Sequence, residues 1–271
     1  QFAHHLVNKM IGLFFGETIF PKLILKNLEK KGLEYLIIDL SKNNIFKKNP
    51  NSYRMSIGQF GKILKVLDQK KCKKVIFAGK IKKPKFSELK LDATGIYYIP
   101  RIIQAAKKGD AAILKQLIQI LSLKKIKVIS SVYFNPELSL KSGYYTKLRP
   151  SRQDFNNISK GIKILQKSNA YDHVQAIIIK NNFVFKETSE GTKKLLQSIK
   201  KNKNNSGVLI KFPKRKQDLR ADLPTVGIDT FKDCKRAGLK GIVLKSKKNI
   251  FLEKEKCINF ANKNKMFIFV K

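Results

Sequence analysis

The sequence is short of acids, of histidine and of cysteine, and each shortage narrows what the chain can do. Its 271 residues carry 58 Lys and Arg against 19 Asp and Glu, with 3 His and 3 Cys. No window approaches the roughly 20 uninterrupted apolar residues that a membrane-spanning helix needs. The longest apolar runs, such as Ala176–Ile179 and Phe267–Val270, have the length of buried strands. Cys72, Cys234 and Cys257 lie far apart with no CxxC pair, which argues against structural zinc or a disulfide framework and favours a reducing compartment. There is no serine nucleophile elbow. His173 is the one histidine of the region that reads as folded, so a Ser-His-Asp triad would depend on it; a lone histidine near a strand more often packs or hydrogen-bonds. GxGxxG spacing, a Walker lysine-hydroxyl pair, zinc-finger spacing and an RNA-recognition signature are all missing.

Gln1–Lys9 lacks the apolar region and small-residue cleavage site of a secretion signal. The folded protein is expected to start at Met10 and to be cytoplasmic. The formal charge of +39 raises the local concentration of anions, whether nucleic acid, lipid headgroups or a nucleotide pyrophosphate. The lysines are nevertheless spread along the whole chain among many Asn, Ile and Phe, residues with A/T-rich codons. Much of the charge therefore reads as drift on solvated faces, and nucleic acid is not the expected partner.

Strands and helices alternate from the start. Met10–Gly16, Leu36–Asp39, Val75–Gly79 and Val128–Ser130 read as strands. Phe20–Lys31, a helix containing Ile63–Leu67, and Ile113–Leu121 with Asp110 as its N-cap lie between them. Such alternation implies a parallel sheet covered on both faces, a doubly wound, Rossmann-like unit. In the second half, Ser151–Lys167 is a helix with a capping-box start, Ser151 preceding Asp154. Gln175–Ile179 and Phe183–Glu187 form a hairpin around Lys180-Asn181-Asn182. Thr192–Lys201 is helical and Val208–Phe212 a strand, followed by a polar stretch over Pro213–Thr225. A helix at Thr230–Ala237, strands at Gly241–Leu244 and Ile250–Leu252, another helix and a last strand at Phe267–Val270 complete the chain. Asn135-Pro136 and Ser142-Gly143 interrupt the pattern. The expected organisation is an α/β chain with an N-terminal domain over 10–132 and a second α/β domain over 133–271.

Because acids are scarce, their placement is informative. Glu187 and Glu190 straddle the end of a hairpin strand, and Asp218 and Asp222 lie four apart. Four carboxylates on two loops offer the hard oxygen donors of a Mg²⁺ site, and Arg220 can grip a phosphate oxygen in a bidentate fork. The same spacing also suits a structural Asp218–Arg220 ion pair with Asp222 capping a turn. Gly12-x-x-x-Gly16 leads from a strand towards a helix, so its backbone amides can cradle a phosphate or make a tight turn and nothing more.

Several of these segments together resemble a known family. Gly12-Leu13-x-x-Gly16-x-x-x-Phe20-Pro21, Gly58-Gln59-x-Gly61-Lys62, Ala78-Gly79-Lys80-x-x-x-Pro84 and Lys108-Gly109-Asp110 resemble the N-terminal half of the LpxI-type UDP-2,3-diacylglucosamine pyrophosphatases. Arg149-Pro150-Ser151, Gln175-Ala176, Glu187-x-x-Glu190-Gly191-Thr192 and Gln217-Asp218-Leu219-Arg220-x-Asp222-Leu223-Pro224-x-x-Gly227-x-x-Thr230 resemble the C-terminal half. The resemblance implies two domains with the active site in the cleft between them. It also implies Mg²⁺-dependent hydrolysis of the UDP-linked diacylated sugar to UMP and a lipid monosaccharide phosphate, with water attacking the β-phosphorus. On this resemblance the catalytic loop carries Asp218, Arg220 and Asp222. Asp218, Asp222, Glu187 and Glu190 are the expected metal ligands, and Gly12, Gly16, Gly79, Lys80, Thr192 and Gln217 are expected to bind substrate. Peripheral contact with the anionic cytoplasmic face of the inner membrane follows from such a substrate. The chain departs from the family's usual pattern at Lys193, at Lys245 and over Lys214-Arg215-Lys216. A hydrolase of another nucleotide-sugar, or a non-catalytic binder of anionic membrane or nucleic acid, are the competing expectations.

Overall fold

A computed structural model describes residues 10–81, 90–167, 174–200, 206–214 and 217–271. Expectations that fall on Gln1–Lys9, Pro84, His173, Lys201 and Arg215-Lys216 lie outside the described residues. The chain divides into two compact units. One comprises the residues up to Asn135 together with Arg220–Asp222, and the other Pro136–Leu219 with Leu223–Lys271.

In the first unit β1 (Ile11–Phe15), α1 (Ile19–Lys30), β2 (Tyr35–Asp39), β3 (Ser52–Arg54), α2 (Phe60–Gln69), β4 (Lys74–Ala78), α3 (Ala93–Lys107), α4 (Asp110–Leu123) and β5 (Lys127–Val128) follow in order. The strands form a five-stranded sheet in the order β3-β2-β1-β4-β5, parallel at every pairing. A central parallel strand is covered on both faces, and accordingly every residue of β1 is buried. Alternate side chains serve opposite faces. Phe14, Leu36, Ile38, Val75 and Phe77 pack with Phe60, Ile63 and Leu67 of α2, Tyr98 of α3 and Leu117 and Leu121 of α4.

α3 has no counterpart in the periodicity of the sequence. It contains Gly95 and Pro100, two residues disfavoured in helix interiors. What fixes it is a carboxylate. Asp92 caps α3 by accepting from the Gly95 amide at 2.7 Å, and also accepts from the amides of Gly61 (3.1 Å) and Lys62 (2.8 Å) in the first turn of α2. One side chain thus holds two helix N-termini. Gly58, Gly61 and Gly95 let the segments meet: a Cβ on Gly95 would lie 2.1 Å from the Gly58 carbonyl oxygen, and one on Gly61 2.6 Å from Thr94 Oγ1. Asp110, expected as an N-cap, is the first residue of α4, and the cap position belongs to Gly109 at φ 107°. A positive φ favours glycine there over any side chain.

The second unit contains β6 (Gly143–Tyr144), α5 (Arg152–Lys167), β7 (Ala176–Lys180), β8 (Phe183–Lys186), α6 (Thr192–Ser198), β9 (Val208–Lys211), β10 (Thr225–Val226), α7 (Ile228–Arg236), β11 (Gly241–Leu244), β12 (Ile250–Phe251), α8 (Lys254–Lys263) and β13 (Phe267–Val270). Its six-stranded sheet runs β6-β13-β11-β9-β7-β8. The three central strands β9, β11 and β13 are parallel, while β7, β8 and β6 add antiparallel edges. One face packs Ile177, Ile179, Val208, Ile210 and Phe267 against Ile158, Ile162 and Leu165 of α5. The other packs Ile178, Leu209, Ile242 and Ile268 against α6, α7 and α8 through Leu195, Leu196, Phe231, Cys234 and Cys257.

The capping box of α5 is complete: the Ser151 amide donates to Asp154 Oδ2 at 2.8 Å and the Asp154 amide to Ser151 Oγ at 3.3 Å. Lys240 Nζ adds an ion pair to Asp154 at 2.8 Å. In the β7–β8 hairpin, Asn181 and Asn182 take φ 49° and 65°, the two left-handed positions of a primed two-residue turn. The strand expected at Ile250–Leu252 is β12, and it pairs with β10 in a separate parallel two-stranded sheet. The three cysteines are buried and free. Burial pushes the Cys72 thiol up to about 11 and the Cys257 thiol up to about 12, so these thiols are protonated packing groups.

Candidate active site

Two places gather the sequence motifs, one in each unit. In the first unit the strand order reverses at β1. The chain runs outward through β2 and β3, then returns to β4 on the other side. In open parallel sheets the carboxyl ends of strands at such a reversal are where ligands bind. Gly16, Gly79 and Lys80 lie here. The Glu17 amide donates to the Lys80 carbonyl at 2.9 Å and the Lys80 amide to that of Glu17 at 3.0 Å, while the Gly16 amide donates to Ala78 at 2.9 Å. A Cβ on Gly16 would stand 2.5 Å from the Lys80 oxygen, and one on Gly79, at φ 83°, 2.4 Å from the Glu17 oxygen. Both glycines are therefore required for two backbones to approach. Thr18, entering α1, is held at φ 99° and makes no side-chain cap, a strained conformation of the kind that clusters at ligand sites. Lys80 is exposed.

Gly12 is placed differently. It sits inside β1, where a Cβ would meet Val75, Leu67 and Cys72 at 2.9–3.1 Å, so its lack of a side chain serves the packing of the sheet. Asp39, at the carboxyl end of β2, is fully buried. Its oxygens accept from the amides of Ser41 (2.9 Å) and Phe46 (3.2 Å) and face Arg54 Nη1 at 3.7 Å, which closes the loop after β2.

In the second unit a row of paired residues, Ala176, Lys211, Leu244 and Val270, crosses β7, β9, β11 and β13. Just beyond it the Glu187 amide donates to the Ala176 oxygen (3.0 Å) and the Phe212 amide to that of Gln175 (2.9 Å). Gln175, Glu187, Phe212 and Lys245, far apart in sequence, consequently share one end of the sheet. Glu187 is 3% exposed. Its Oε1 accepts from Thr192 Oγ1 at 2.6 Å and its Oε2 from the Gln175 amide at 2.9 Å, so both oxygens hold the turn that leads into α6. Glu190 is exposed, and its amide donates to Thr188 Oγ1.

The same sheet end anchors the aspartate loop. Gln217 Oε1 accepts from the Lys214 amide at 2.9 Å. Lys211, 6% exposed, donates through Nζ to the Thr225 oxygen at 3.1 Å. Buried Asn249 donates to the oxygens of Lys211 (3.0 Å) and Pro224 (3.5 Å) and accepts from the Lys245 amide at 2.8 Å. Asn249 thus ties the end of β9, the end of the loop and Lys245 together. Nothing in its sequence context marked it, because its partners are backbone atoms remote in the chain. Lys245 Nζ lies 5.6 Å from the centre of the Phe212 ring. Gln175 Oε1 and Gln217 Nε2 are buried with no hydrogen-bond partner among the described residues. Native structures leave few such atoms unmatched, and an acceptor and a donor at one sheet end are suited to a polar ligand.

Among the described residues, no three His, Cys, Asp or Glu are gathered to hold a metal. Glu187 has committed both oxygens to the loop. Asp218 groups with the second unit, whereas Arg220 and Asp222 group with the first.

The profile of the LpxI N-terminal domain matches residues 10–138 and that of the LpxI C-terminal domain residues 141–269. The chain belongs to the LpxI family. A relative from Caulobacter vibrioides, the UDP-2,3-diacylglucosamine pyrophosphatase LpxI, is 28% identical over 271 residues, covering 96% of each chain. Within this LpxI chain, Gly16 and Ala78-Gly79-Lys80 fall at the carboxyl ends of β1 and β4, Gly58-Gln59-x-Gly61-Lys62 at the start of α2, and Gln175-Ala176, Glu187 and Gln217 at the lysine-bearing end of the second sheet.

Proposed function

We propose that this LpxI-family protein hydrolyses the pyrophosphate of UDP-2,3-diacylglucosamine to UMP and 2,3-diacylglucosamine 1-phosphate, a step of lipid A biosynthesis. The observation that carries this reading is the match of both LpxI domains in order, together with near-complete coverage of a relative named for that activity. In the reaction the oxygen of water bonds to the β-phosphorus. The bond from that phosphorus to the bridging oxygen breaks, and UMP leaves with the bridging oxygen.

The chemistry needs positive charge around the phosphates and an oriented water. Lys211, Lys214 and Lys245 at one sheet end supply the first, and Gln175 and Gln217 offer an acceptor and a donor to the substrate. Asp218 and Asp222 are assigned to the water and Arg220 to a phosphate oxygen. The strand order of the first unit supports a Rossmann-like reading in which the carboxyl ends of β1 and β4, with exposed Lys80, bind the nucleotide. Mg²⁺ dependence is part of the proposal. Mg²⁺ typically takes one or two carboxylates plus substrate oxygens, so a protein cage is not required. When bound, it neutralises pyrophosphate charge. Peripheral attachment to the cytoplasmic face of the inner membrane also belongs to the proposal; among the described residues no helix is long and apolar enough to cross a membrane.

The test is product analysis in heavy-oxygen water with UDP-2,3-diacylglucosamine, with Mg²⁺ and with a chelator. Heavy oxygen in the sugar phosphate alone, with turnover lost on chelation, is the expected outcome. Label in UMP would move the attack to the α-phosphorus, and turnover limited to a water-soluble UDP-sugar would make the protein a different nucleotide-sugar hydrolase.

A further inference from the structure

Among the described residues, no element covers the apolar outward face of α3. Leu91, just before the helix, and Ile96, Tyr97 and Ile103 within it are 38%, 60%, 66% and 36% exposed. Ala93 and Pro100 are exposed beside them. The opposite side of the helix is already spent: Gly95, Tyr98 and Ala105 are buried, with Tyr98 in the core of the first unit. Contiguous exposed apolar surface on one helix marks an interaction site more often than scattered single residues do.

Among the described side chains, the charge around this face has one sign. Lys90, Arg101, Lys107 and Lys108 are exposed around it. Ala93–Lys107 contains no acid, and nearby Asp92 is turned to the amides of Gly61, Lys62 and Gly95. An apolar face bordered by cations is the composition of a helix lying in the plane of an anionic bilayer, its apolar side a few ångströms into the headgroup boundary. A second protein copy would bring the same cations into opposition, whereas anionic lipid complements them.

We infer that the Leu91–Lys108 segment is the membrane-docking surface of this protein, inserting Ile96, Tyr97 and Ile103 into an anionic lipid interface. The choice of a bilayer as occupant rests on the proposed lipid-linked substrate, but the surface is tested without turnover. The chain has no tryptophan, so Tyr97→Trp places a single reporter on the face. Its emission is expected to shift to the blue with phosphatidylglycerol vesicles and to stay put with phosphatidylcholine vesicles. In co-sedimentation, the combined Ile96→Ser, Tyr97→Ser, Ile103→Ser variant is expected to bind anionic vesicles at least about tenfold more weakly. Replacing Arg101, Lys107 and Lys108 by Ser is expected to cost about fivefold per charge and to remove the preference for anionic lipid.

Circular dichroism and sedimentation velocity accompany each variant, and release of UMP from a short-chain, water-soluble form of the substrate is measured separately. Retained soluble turnover with lost vesicle binding supports the inference. Vesicle binding unchanged in the triple serine variant overturns it while leaving the hydrolase reading intact. A wild-type dimer that the serine variant dissociates, with no vesicle binding in either, makes a second copy the occupant and overturns it as well.

Discussion

Glu187 shows how a candidate ligand is read once its partners are known. A carboxylate accepting from both Thr192 Oγ1 and the Gln175 amide folds the loop ahead of α6. Glu187→Gln can keep both contacts, since its amide oxygen still accepts from Gln175 while its NH₂ group turns to Thr192. Pyrophosphatase activity and its Mg²⁺ response are therefore expected to survive in Glu187→Gln. Glu187→Ala leaves buried donors unmatched and is expected to lose about 1–3 kcal/mol in urea unfolding. Loss of the metal response in Glu187→Gln, with unfolding unchanged, would make Glu187 a metal ligand.

Asp92 carries a second expectation at this scale, in pH. Burial raises its carboxyl pKa, but the amides of Gly95, Lys62 and Gly61 outweigh it and hold the group below its ordinary value. Asp154 is held down in the same sense: burial is opposed by Lys240 and Ser151. A depressed folded-state pKa gives stability that is fully present above the unfolded carboxylate value of about 4 and is lost as pH falls through the folded value. Acid unfolding of wild type should thus begin below about pH 4. Asp92→Ala, which removes the cap of α3 and the tie to α2, should flatten that dependence and cost about 1–2 kcal/mol at neutral pH. A pH profile unchanged by the substitution would contradict the double-cap account.

Among the elements, α2 and α3 meet through glycine. Gly95→Ala puts a Cβ into the Gly58 carbonyl, a backbone atom that cannot rotate away, and is expected to destabilise by about 1–3 kcal/mol in denaturant unfolding. A neutral effect would mean that α3 does not pack as described.

Legibility in the sequence followed the same physics. Central strands such as β1, β7 and β11 are unbroken apolar runs because both faces are covered, and they stood out. The hairpin stood out because two asparagines tolerate left-handed φ. The capping box of α5 was legible from Ser151 and Asp154, being a contact three residues apart. α3 escaped because Gly95 and Pro100, both disfavoured in helix interiors, lie within it. Asp92 and Asn249 escaped because the Gly61 and Lys62 amides and the Lys211 and Pro224 oxygens that they bind are brought near only by the fold. The motifs around Gly16, Gly79, Glu187 and Gln217 were legible as motifs, but their geometry was not. The separation of glycines into packing (Gly12) and loop approach (Gly16, Gly79) needs the neighbours' positions.

For the molecule as a whole, the net charge of +39 and the small stock of acids leave few carboxylates for chemistry. The aspartates of the 217–224 loop are the ones that the motif and the anchoring of that loop by Lys211, Gln217 and Asn249 single out. The most direct test is UMP release from UDP-2,3-diacylglucosamine in Mg²⁺ by wild type, Asp218→Asn and Asp222→Asn, with folding checked by circular dichroism. Turnover in wild type that falls by about a hundredfold or more in at least one variant is the expected result. A folded wild type without turnover, or turnover untouched in both variants, would contradict the assignment of the reaction to this loop.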